Sequence, residues 1–282
     1  MILSVPVTVT DPAAGKSATA SVSSSVRVAF GTNLAEYATV SPALPGITFT
    51  KAFSEPATGT NGVPPKWPGD SASKPPAGTR TLSCFCPDPA MLLAGELDTP
   101  VKTYFGLAGP DDVATAYQEG NGSWSPVWAT AGFTVADWRA MHVRLAGLAA
   151  DASPGLRYGQ VLATSPVRGG QDITPYVVPG MGWYSMDGYD LSGTSTPEAV
   201  FGETWAGILT VEPAARCAIT ETNSADTTGE WFTGCWEWLT ANGGVLFSSF
   251  WETATSGGQH YPWPPSDAVL ATLQDISEQC AA

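Results

Sequence analysis

Residues 216–251, RCAITETNSADTTGEWFTGCWEWLTANGGVLFSSFW, contain one complete strand–helix–strand unit. The apolar run 216–221 ends in an acidic residue, the tryptophan-rich segment 228–241 has the length of a helix, and the segment 245–251 is apolar again. Two apolar strands joined through a helix are typical of a parallel sheet, because a parallel connection needs a long crossover. The unit therefore predicts an α/β fold.

The same alternation extends over most of the chain. The predicted strands are residues 25–31, 47–53, 80–86, 112–118, 156–163, 182–187, 216–221 and 245–251. The predicted helices are residues 88–97, 134–150, 197–208, 228–241 and 266–279, two of which follow the N-cap residues Thr134 and Ser266. Eight strands in a chain of 282 residues predict a single (β/α)8 TIM barrel, which needs about 250 residues. A doubly wound open sheet is the alternative, but no glycine-rich phosphate loop follows the first strand.

The N-terminal residues 1–24 have a different composition. They alternate at Val5, Val7 and Val9 and then become rich in Ser, Thr and Ala, which predicts a short extended arm or linker before a barrel domain of residues 25–282. This stretch lacks the basic and apolar regions of a signal peptide, and no later stretch reaches about 18 apolar residues. We therefore expect no membrane insertion.

The composition narrows the classes of partner and cofactor. The net charge is −14, and the 12 basic residues are scattered along the chain, so no nucleic acid is expected as a partner. Two histidines and five cysteines without a repeated CxxC spacing predict neither a metal site nor a disulfide framework, and no cofactor is expected. Eleven tryptophans suit a neutral glycan, since indole faces stack on sugar rings.

Two glutamates end predicted strands. Glu119 closes the fourth strand in ATAYQEGNG, and Glu221 closes the seventh in CAITETN. Reacting groups of (β/α)8 barrels lie at the carboxyl ends of the strands, and retaining glycosidases use two carboxyl groups about 5 Å apart. The pair predicts a glycosidase site.

The segment 118–128, QEGNGSWSPVW, resembles the His-Glu-Met-Asn-Gly-x-Trp-x-x-Trp signature of family 26 glycoside hydrolases, which are mostly β-mannanases. The segments 176–190 and 219–222 are similar to the sixth-strand region and the nucleophile strand of that family. The resemblance implies that Glu119 is the acid/base, that Glu221 is the nucleophile, and that Tyr189 donates a hydrogen bond to the nucleophile.

The resemblance also implies sugar-binding positions. Asn121, Trp124 and Trp128 are expected to contact sugar, and Gln118 stands where the family has histidine, where an amide can hold a sugar hydroxyl. Trp251 ends the eighth predicted strand and is either a sugar platform or a core residue.

Several other residues have alternative interpretations. Arg27 and Arg80 lie in apolar strands, so each either orients a carboxylate or lies at the opposite end of the barrel. Asp187 and Asp190 flank Gly188 and are expected to cap the loop rather than to bind calcium. The loop 55–79, which carries Trp67, is expected to form a wall of the site.

The sequence predicts a retaining glycoside hydrolase that acts on a cell-surface or cell-wall polysaccharide; the alternative is a catalytically inactive carbohydrate-binding or structural protein. The N-terminal arm and the lysine-poor composition, rich in Ala, Gly and Thr, resemble minor tail proteins of phages that infect actinobacteria. That resemblance implies a virion tail or extracellular location and other tail proteins bound through residues 1–24. A cytoplasmic enzyme is the fallback.

Overall fold

A computed structural model describes residues 3–11, 16–24, 28–33, 37–44, 46–53, 61–68, 79–249 and 264–281, the first two of these ranges by their backbone only. The strands are β1 (Leu3–Asp11), β2 (Lys16–Ser24), β3 (Ala29–Asn33), β4 (Phe49–Phe53), β5 (Arg80–Phe85), β6 (Val113–Ala116), β7 (Arg157–Tyr158), β8 (Gln160–Ala163), β9 (Tyr184–Asp187), β10 (Cys217–Thr222) and β11 (Leu246–Ser249). The helices are α1 (Tyr37–Val40), α2 (Pro89–Ala94), α3 (Asp98–Phe105), α4 (Val135–Ala152), α5 (Ser165–Arg168), α6 (Pro197–Val211), α7 (Glu230–Ala241) and α8 (Asp267–Ala281).

Strands β3 to β11 form one parallel sheet in the order β7-β6-β5-β4-β3-β11-β10-β9-β8. The two ends of this order, β7 and β8, are successive parts of one chain segment, separated by Gly159. Because β7 pairs with β6 and β8 pairs with β9, this segment closes the sheet. The eight strand positions confirm the (β/α)8 barrel and exclude the doubly wound sheet.

Gly159 is required at the closure. A Cβ atom at this position would collide with the indole ring and the backbone oxygen of Trp183, which belongs to the next strand region. Glycine therefore allows the fifth barrel strand to turn from one neighbour to the other.

The predicted helix starts at Thr134 and Ser266 are confirmed. Thr134 and Asp137 form a reciprocal capping box at the start of α4. The Ser266 hydroxyl accepts a hydrogen bond from the Val269 amide at 3.3 Å. The predicted helix 88–97 is shorter than expected, because Gly95 takes a left-handed conformation (φ 85°) and ends α2. Helix α3 then follows as an element that the sequence did not predict.

The N-terminal strands β1 and β2 pair antiparallel over their full length, from Leu3 opposite Ser24 to Asp11 opposite Lys16. They form a two-stranded sheet of their own, outside the barrel sheet. The predicted extended arm is thus a β-hairpin in the structure. None of the helices in the described ranges combines the length and the apolar character that a bilayer span requires.

Apolar side chains fill the barrel lumen and the space between the barrel and its helices. The lumen layer consists of Ala29, Phe49, Leu82, Val113, Val161, Trp183, Ala218, Val245 and Leu246. His142 is fully buried beside Trp138 and Tyr158, and burial lowers its pKa to about 3, so it is a neutral core residue. All five cysteines are free thiols, and four of them are buried.

Candidate active site

Five polar side chains meet at the carboxyl end of the barrel. Lys51 lies on β4, Asp187 ends β9, and Glu221 lies near the end of β10. Glu119 follows β6, and Tyr189 follows β9. Because parallel strands all point the same way, residues that are remote in sequence converge at this end of the sheet.

The backbone around Glu119 is strained. Tyr117 and Glu119 both have positive φ angles, 48° and 55°, a conformation that costs a non-glycine residue roughly 1–2 kcal/mol. The Tyr117 hydroxyl donates to the Pro87 carbonyl at 2.5 Å, and the Glu119 amide donates to the Val161 carbonyl at 2.9 Å. These bonds hold a conformation that sets the direction of the Glu119 side chain, and such strain concentrates at functional sites.

The environment of Glu119 favours its protonated form. Burial raises the pKa of this carboxyl group, and repulsion from Glu221 raises it further. The indole of Trp124, which donates to Glu119 Oε2 at 2.8 Å, and the ammonium of Lys51 oppose this shift. A carboxyl group that keeps its proton to higher pH than usual is suited to general acid catalysis.

Glu221, in contrast, is surrounded by donors. Lys51 Nζ lies 3.0 Å from Oε1, and Gln118 Nε2 donates to the same oxygen at 3.4 Å. The hydroxyl of Tyr189 donates to Oε2 at 2.7 Å, so the hydrogen bond implied by the family resemblance is present. Burial and the negative charge of Glu221 raise the pKa of Tyr189 well above its usual range, which keeps this hydroxyl a donor. Both carboxylate oxygens of Glu221 therefore have a hydrogen-bond donor within reach.

Lys51 was not singled out by the sequence, although its side chain is fully buried. Its Nζ lies 3.2 Å from Asp187 Oδ2 and 3.3 Å from the Thr220 hydroxyl oxygen. Burial alone disfavours the ammonium, but attraction to Asp187 and Glu221 outweighs burial and raises the pKa of Lys51. A lysine inside the apolar strand ITFTKAF was the available sequence signal, since a buried charge needs a partner.

One ammonium cannot neutralise two carboxylates. Burial raises the pKa of Asp187 well above its usual range, Lys51 opposes this shift, and repulsion from Glu221 and Glu119 adds to it. The two raised pKa values lead to different protonation states for this contact. The pKa of Lys51 indicates a charged pair with Asp187, whereas the pKa of Asp187 indicates a proton on its carboxyl group. We assign the charge of Lys51 to its pair with Glu221, because that contact is shorter and Asp187 is the more deeply buried of the two acids.

The two aspartates that flank Gly188 have different roles. Asp187 is a member of the buried ion pair and not the expected loop cap. Asp190 does cap its loop, because its Oδ1 accepts hydrogen bonds from the amides of Ser192 and Gly193. Burial opposes ionisation of Asp190, yet hydrogen bonds from serines lower its pKa to about 2. In the described residues, no group of three or more His, Cys, Asp or Glu side chains could hold a metal ion.

Two of the predicted sugar-binding residues form hydrogen bonds that anchor the loop after β6. The Asn121 side chain is buried and exchanges hydrogen bonds with the backbone of Ala163 at 2.9 and 2.7 Å. The indole of Trp128 donates to the Gly120 carbonyl at 2.8 Å and packs on Trp138. The structure thus gives both side chains a supporting position beneath Glu119.

Other predicted residues have separate outcomes. Trp251 and Arg27 lie outside the described residues. Arg80 is the first residue of β5, at the amino end of the barrel, and so does not orient a carboxylate of the site. Trp67 is buried against Tyr104, and therefore presents no surface to the site.

Three large apolar side chains are exposed in segments that end or follow strands at the carboxyl end. Phe53, Trp124 and Leu191 are 46%, 55% and 70% exposed and come from β4, the loop after β6 and the loop after β9. Phe53 also lies against the Lys51 ammonium, 5.1 Å from its ring centroid. Exposed aromatic faces beside a carboxylate pair are typical of sugar-binding surfaces.

Solved structures show a similar fold. The chain aligns with a modular endo-β-1,4-mannanase of glycoside hydrolase family 26 from Cellulomonas fimi at a TM-score of 0.57 and 13% identity, over 89% of this chain and 70% of that one. A family 26 β-mannanase from Bacteroides ovatus aligns at 0.54 and 11% identity, over 91% and 90%. A mannanase from Bacillus subtilis aligns at 0.52 and 11% identity, over 87% and 84%.

No protein-family model matches the chain, and no curated protein sequence matches it either. The similarity to the mannanases is therefore a similarity of fold alone, that of a (β/α)8 barrel.

Proposed function

We propose that this protein is a retaining glycoside hydrolase in which Glu119 is the acid/base and Glu221 is the nucleophile. The observation that supports this most strongly is the difference between the surroundings of the two carboxyl groups at one end of the barrel. Burial favours the acid form of Glu119, while three donors surround Glu221. Two carboxyl groups in such different surroundings suit the two roles of general acid and nucleophile.

The reaction would proceed in two displacements. In the first, a Glu221 oxygen attacks the anomeric carbon, the glycosidic C–O bond breaks, and Glu119 gives its proton to the leaving oxygen. In the second, Glu119 takes a proton from water, whose oxygen attacks the anomeric carbon and releases Glu221 as a carboxylate. The anomeric configuration is retained because it is inverted twice.

Lys51 and Asp187 support both displacements. Glu221 loses its negative charge when it forms the glycosyl ester, which would leave the Lys51 ammonium without that counter-ion. Glu119 is then a carboxylate, because it has given its proton to the leaving oxygen, and its charge acts on Lys51. Asp187 Oδ2 stays 3.2 Å from Lys51 Nζ as an acceptor. The cation can therefore stay buried in the free enzyme and in the intermediate.

The substrate class follows from the charge and the surface of the site. The cation of this site, Lys51, is fully buried and already contacts Glu221 and Asp187, so it is not open to pair with an anionic sugar. The exposed faces of Phe53 and Trp124 suit the apolar faces of neutral pyranose rings. We propose a neutral polysaccharide of a cell surface or cell wall, and β-1,4-mannan is the first defined polymer to test because the similar structures include mannanases.

The test measures the release of reducing ends from a panel of neutral polysaccharides. We expect Glu221→Ala to abolish release, because the nucleophile is missing. Added azide should restore turnover and give a glycosyl azide of inverted configuration, since the acid remains. Glu198→Ala, on the outer helix α6, is the control that removes a carboxylate without affecting turnover. Binding of a polymer without release by the native protein would instead support the inactive carbohydrate-binding alternative.

We further propose that the hairpin of β1 and β2 attaches the barrel to other components of a phage tail, which would place the protein on a virion outside the cell. The separate sheet formed by this hairpin and the composition of the chain support the proposal. Deletion of residues 1–24 should abolish incorporation into tails and leave polysaccharide turnover unchanged. Incorporation of the deleted protein at the native level would contradict this role.

A further inference from the structure

Three arginines mark the amino end of the barrel, opposite the candidate active site. Arg80 begins β5, Arg157 begins β7, and Arg216 immediately precedes β10. These are the third, fifth and seventh strands of the barrel. Side chains of alternate strands form common layers in (β/α)8 barrels, so the three positions belong to one layer at the floor.

Strand alternation directs these side chains toward the barrel axis. Leu82 and Ala218 belong to the lumen layer, and each lies two residues after one of the arginines. Residues two apart on a strand face the same side, so Arg80 and Arg216 point inward. Tyr158 packs outward against His142 of α4, so its neighbour Arg157 also points inward.

The three positive charges repel one another. Burial lowers the pKa of Arg157, and repulsion from Arg216 and from Arg80 lowers it further, while Asp111 acts in the opposite direction. The Asp112 carboxylate accepts the amides of Thr81 and Gly109 at 2.6 and 2.8 Å and forms no salt bridge with any of the three arginines in the described residues.

Within the part of the chain that the structure describes, none of these arginines forms a salt bridge. Two of them are half-buried, and a desolvated guanidinium group requires an anion.

We propose that the floor of the barrel binds a tetrahedral oxyanion, a phosphate or sulfate group, between Arg80, Arg157 and Arg216. Guanidinium groups present planar forks of N–H donors that match the oxygens of such anions, and several forks that converge on one axis can share one multivalent ligand. The protein has a net charge of −14, so this cationic layer is the exception on an acidic molecule.

This site is separate from the carboxylates. The Trp183 side chain lies in the lumen layer, and its indole donates to the Arg157 carbonyl at 3.1 Å. Arg216 and Glu221 are five residues apart on one strand, which corresponds to roughly 16 Å. The inference is therefore independent of the proposed glycosidase activity.

The test compares thermal unfolding in inorganic phosphate and in sodium chloride at matched ionic strength. Native protein should gain roughly 3 °C at phosphate concentrations near ten times the dissociation constant, and above the dissociation constant the gain should rise with the logarithm of the phosphate concentration. Arg157→Gln should lose this gain. Arg168→Gln, an exposed arginine at the end of α5, removes the same charge elsewhere and should keep it. Arg216→Gln is the second test variant, because this exposed side chain can be replaced without disturbing the core.

Phosphate and sulfate also stabilise proteins in general, through exclusion from their surfaces. An equal gain at every phosphate concentration in native protein and in both floor variants would therefore overturn the proposal. An equal gain with acetate would overturn the preference for a tetrahedral anion. Glycerol 3-phosphate distinguishes the source: a gain that exceeds that of inorganic phosphate identifies a phosphate ester as the ligand, and an equal or smaller gain identifies the free oxyanion.

Discussion

The two ends of this barrel treat buried charge in opposite ways. At the carboxyl end, Lys51 pairs with the Glu221 carboxylate and also contacts Asp187 and the Thr220 hydroxyl, so its cation is fully compensated. At the amino end, Arg80, Arg157 and Arg216 converge without a paired carboxylate in the described residues. One barrel thus has a compensated site at its carboxyl end and an uncompensated one at its amino end.

This difference separates the two kinds of contribution that a charge makes. A compensated charge is part of the folded state and holds its neighbours in place, so its removal leaves other charges unpaired. An uncompensated group of like charges opposes folding until a ligand arrives, so its removal relieves repulsion. Substitution of a charged residue at the carboxyl end is therefore expected to destabilise the fold. Substitution of an arginine at the amino end is expected to be tolerated when no ligand is present.

The largest expected effect follows substitution of the central cation. Lys51→Met leaves Asp187 and Glu221 facing each other without a counter-ion, and breaking a buried ion pair from one side costs about 3–5 kcal/mol. Lys102→Met is the matched control, because Lys102 pairs with Asp151 at the surface, where such pairs contribute at most about 1 kcal/mol. Urea unfolding of both variants measures the two free energies.

The same measurement on Arg157→Met tests the other side of the comparison. Because this change removes repulsion between arginines, the variant's free energy of unfolding in phosphate-free buffer should be equal to or above that of the native protein. A loss comparable to that of Lys51→Met would show that the arginine layer is compensated after all and would end the contrast between the two ends. A loss of stability in Lys51→Met no larger than that in Lys102→Met would contradict the claim that the carboxyl end depends on its buried cation.

A smaller effect is expected from a single hydrogen bond at the carboxyl end. Tyr189→Phe removes the donor to Glu221 Oε2 and keeps the ring, which should lower kcat/KM roughly tenfold because one charge-assisted hydrogen bond is lost. Tyr184→Phe is the control, since its hydroxyl donates to the Val178 carbonyl in the core and it should reduce stability without reducing kcat/KM per folded molecule. An unchanged kcat/KM for Tyr189→Phe would remove Tyr189 from the proposed mechanism.

The sequence predicted the barrel well and the charge balance poorly. Periodicity and strand length are local properties, so the eight strands and the ends that carry Glu119 and Glu221 could be predicted. The pair of Lys51 and Asp187 spans 136 residues and exists only because the sheet closes, and no local spacing encodes it. The position of Arg80 was left open for the same reason, since a strand start becomes a barrel floor only when the direction of every strand is known.

The motif around Glu119 shows a different limit of sequence reasoning. Asn121 and Trp128 match positions that the family resemblance assigns to sugar contacts, and the sequence did not predict that both donate hydrogen bonds to backbone carbonyls in or beside this loop. The left-handed backbone at Tyr117 and Glu119 determines which side chains of this loop face outward. A positive φ at a non-glycine residue leaves little trace in the sequence, because it is imposed by tertiary contacts.

The smallest expected effect tests the edge of the compensated site, where solvent reaches Glu119. Trp124→Phe removes the indole N–H that donates to Glu119 Oε2, and this bond lowers the pKa of the carboxyl group. Its loss should raise the pKa of Glu119, so the acid form persists to higher pH and the upper limb of the pH–rate profile should move up by about half a unit. Trp238→Phe is the matched control, since its indole donates to a carboxylate of Glu198 on the outer helices and should leave the limb in place. An upper limb that moves down, or that moves equally in both variants, would show that the hydrogen bond from Trp124 does not lower the pKa of Glu119. The charge balance at this end would then involve only its buried residues.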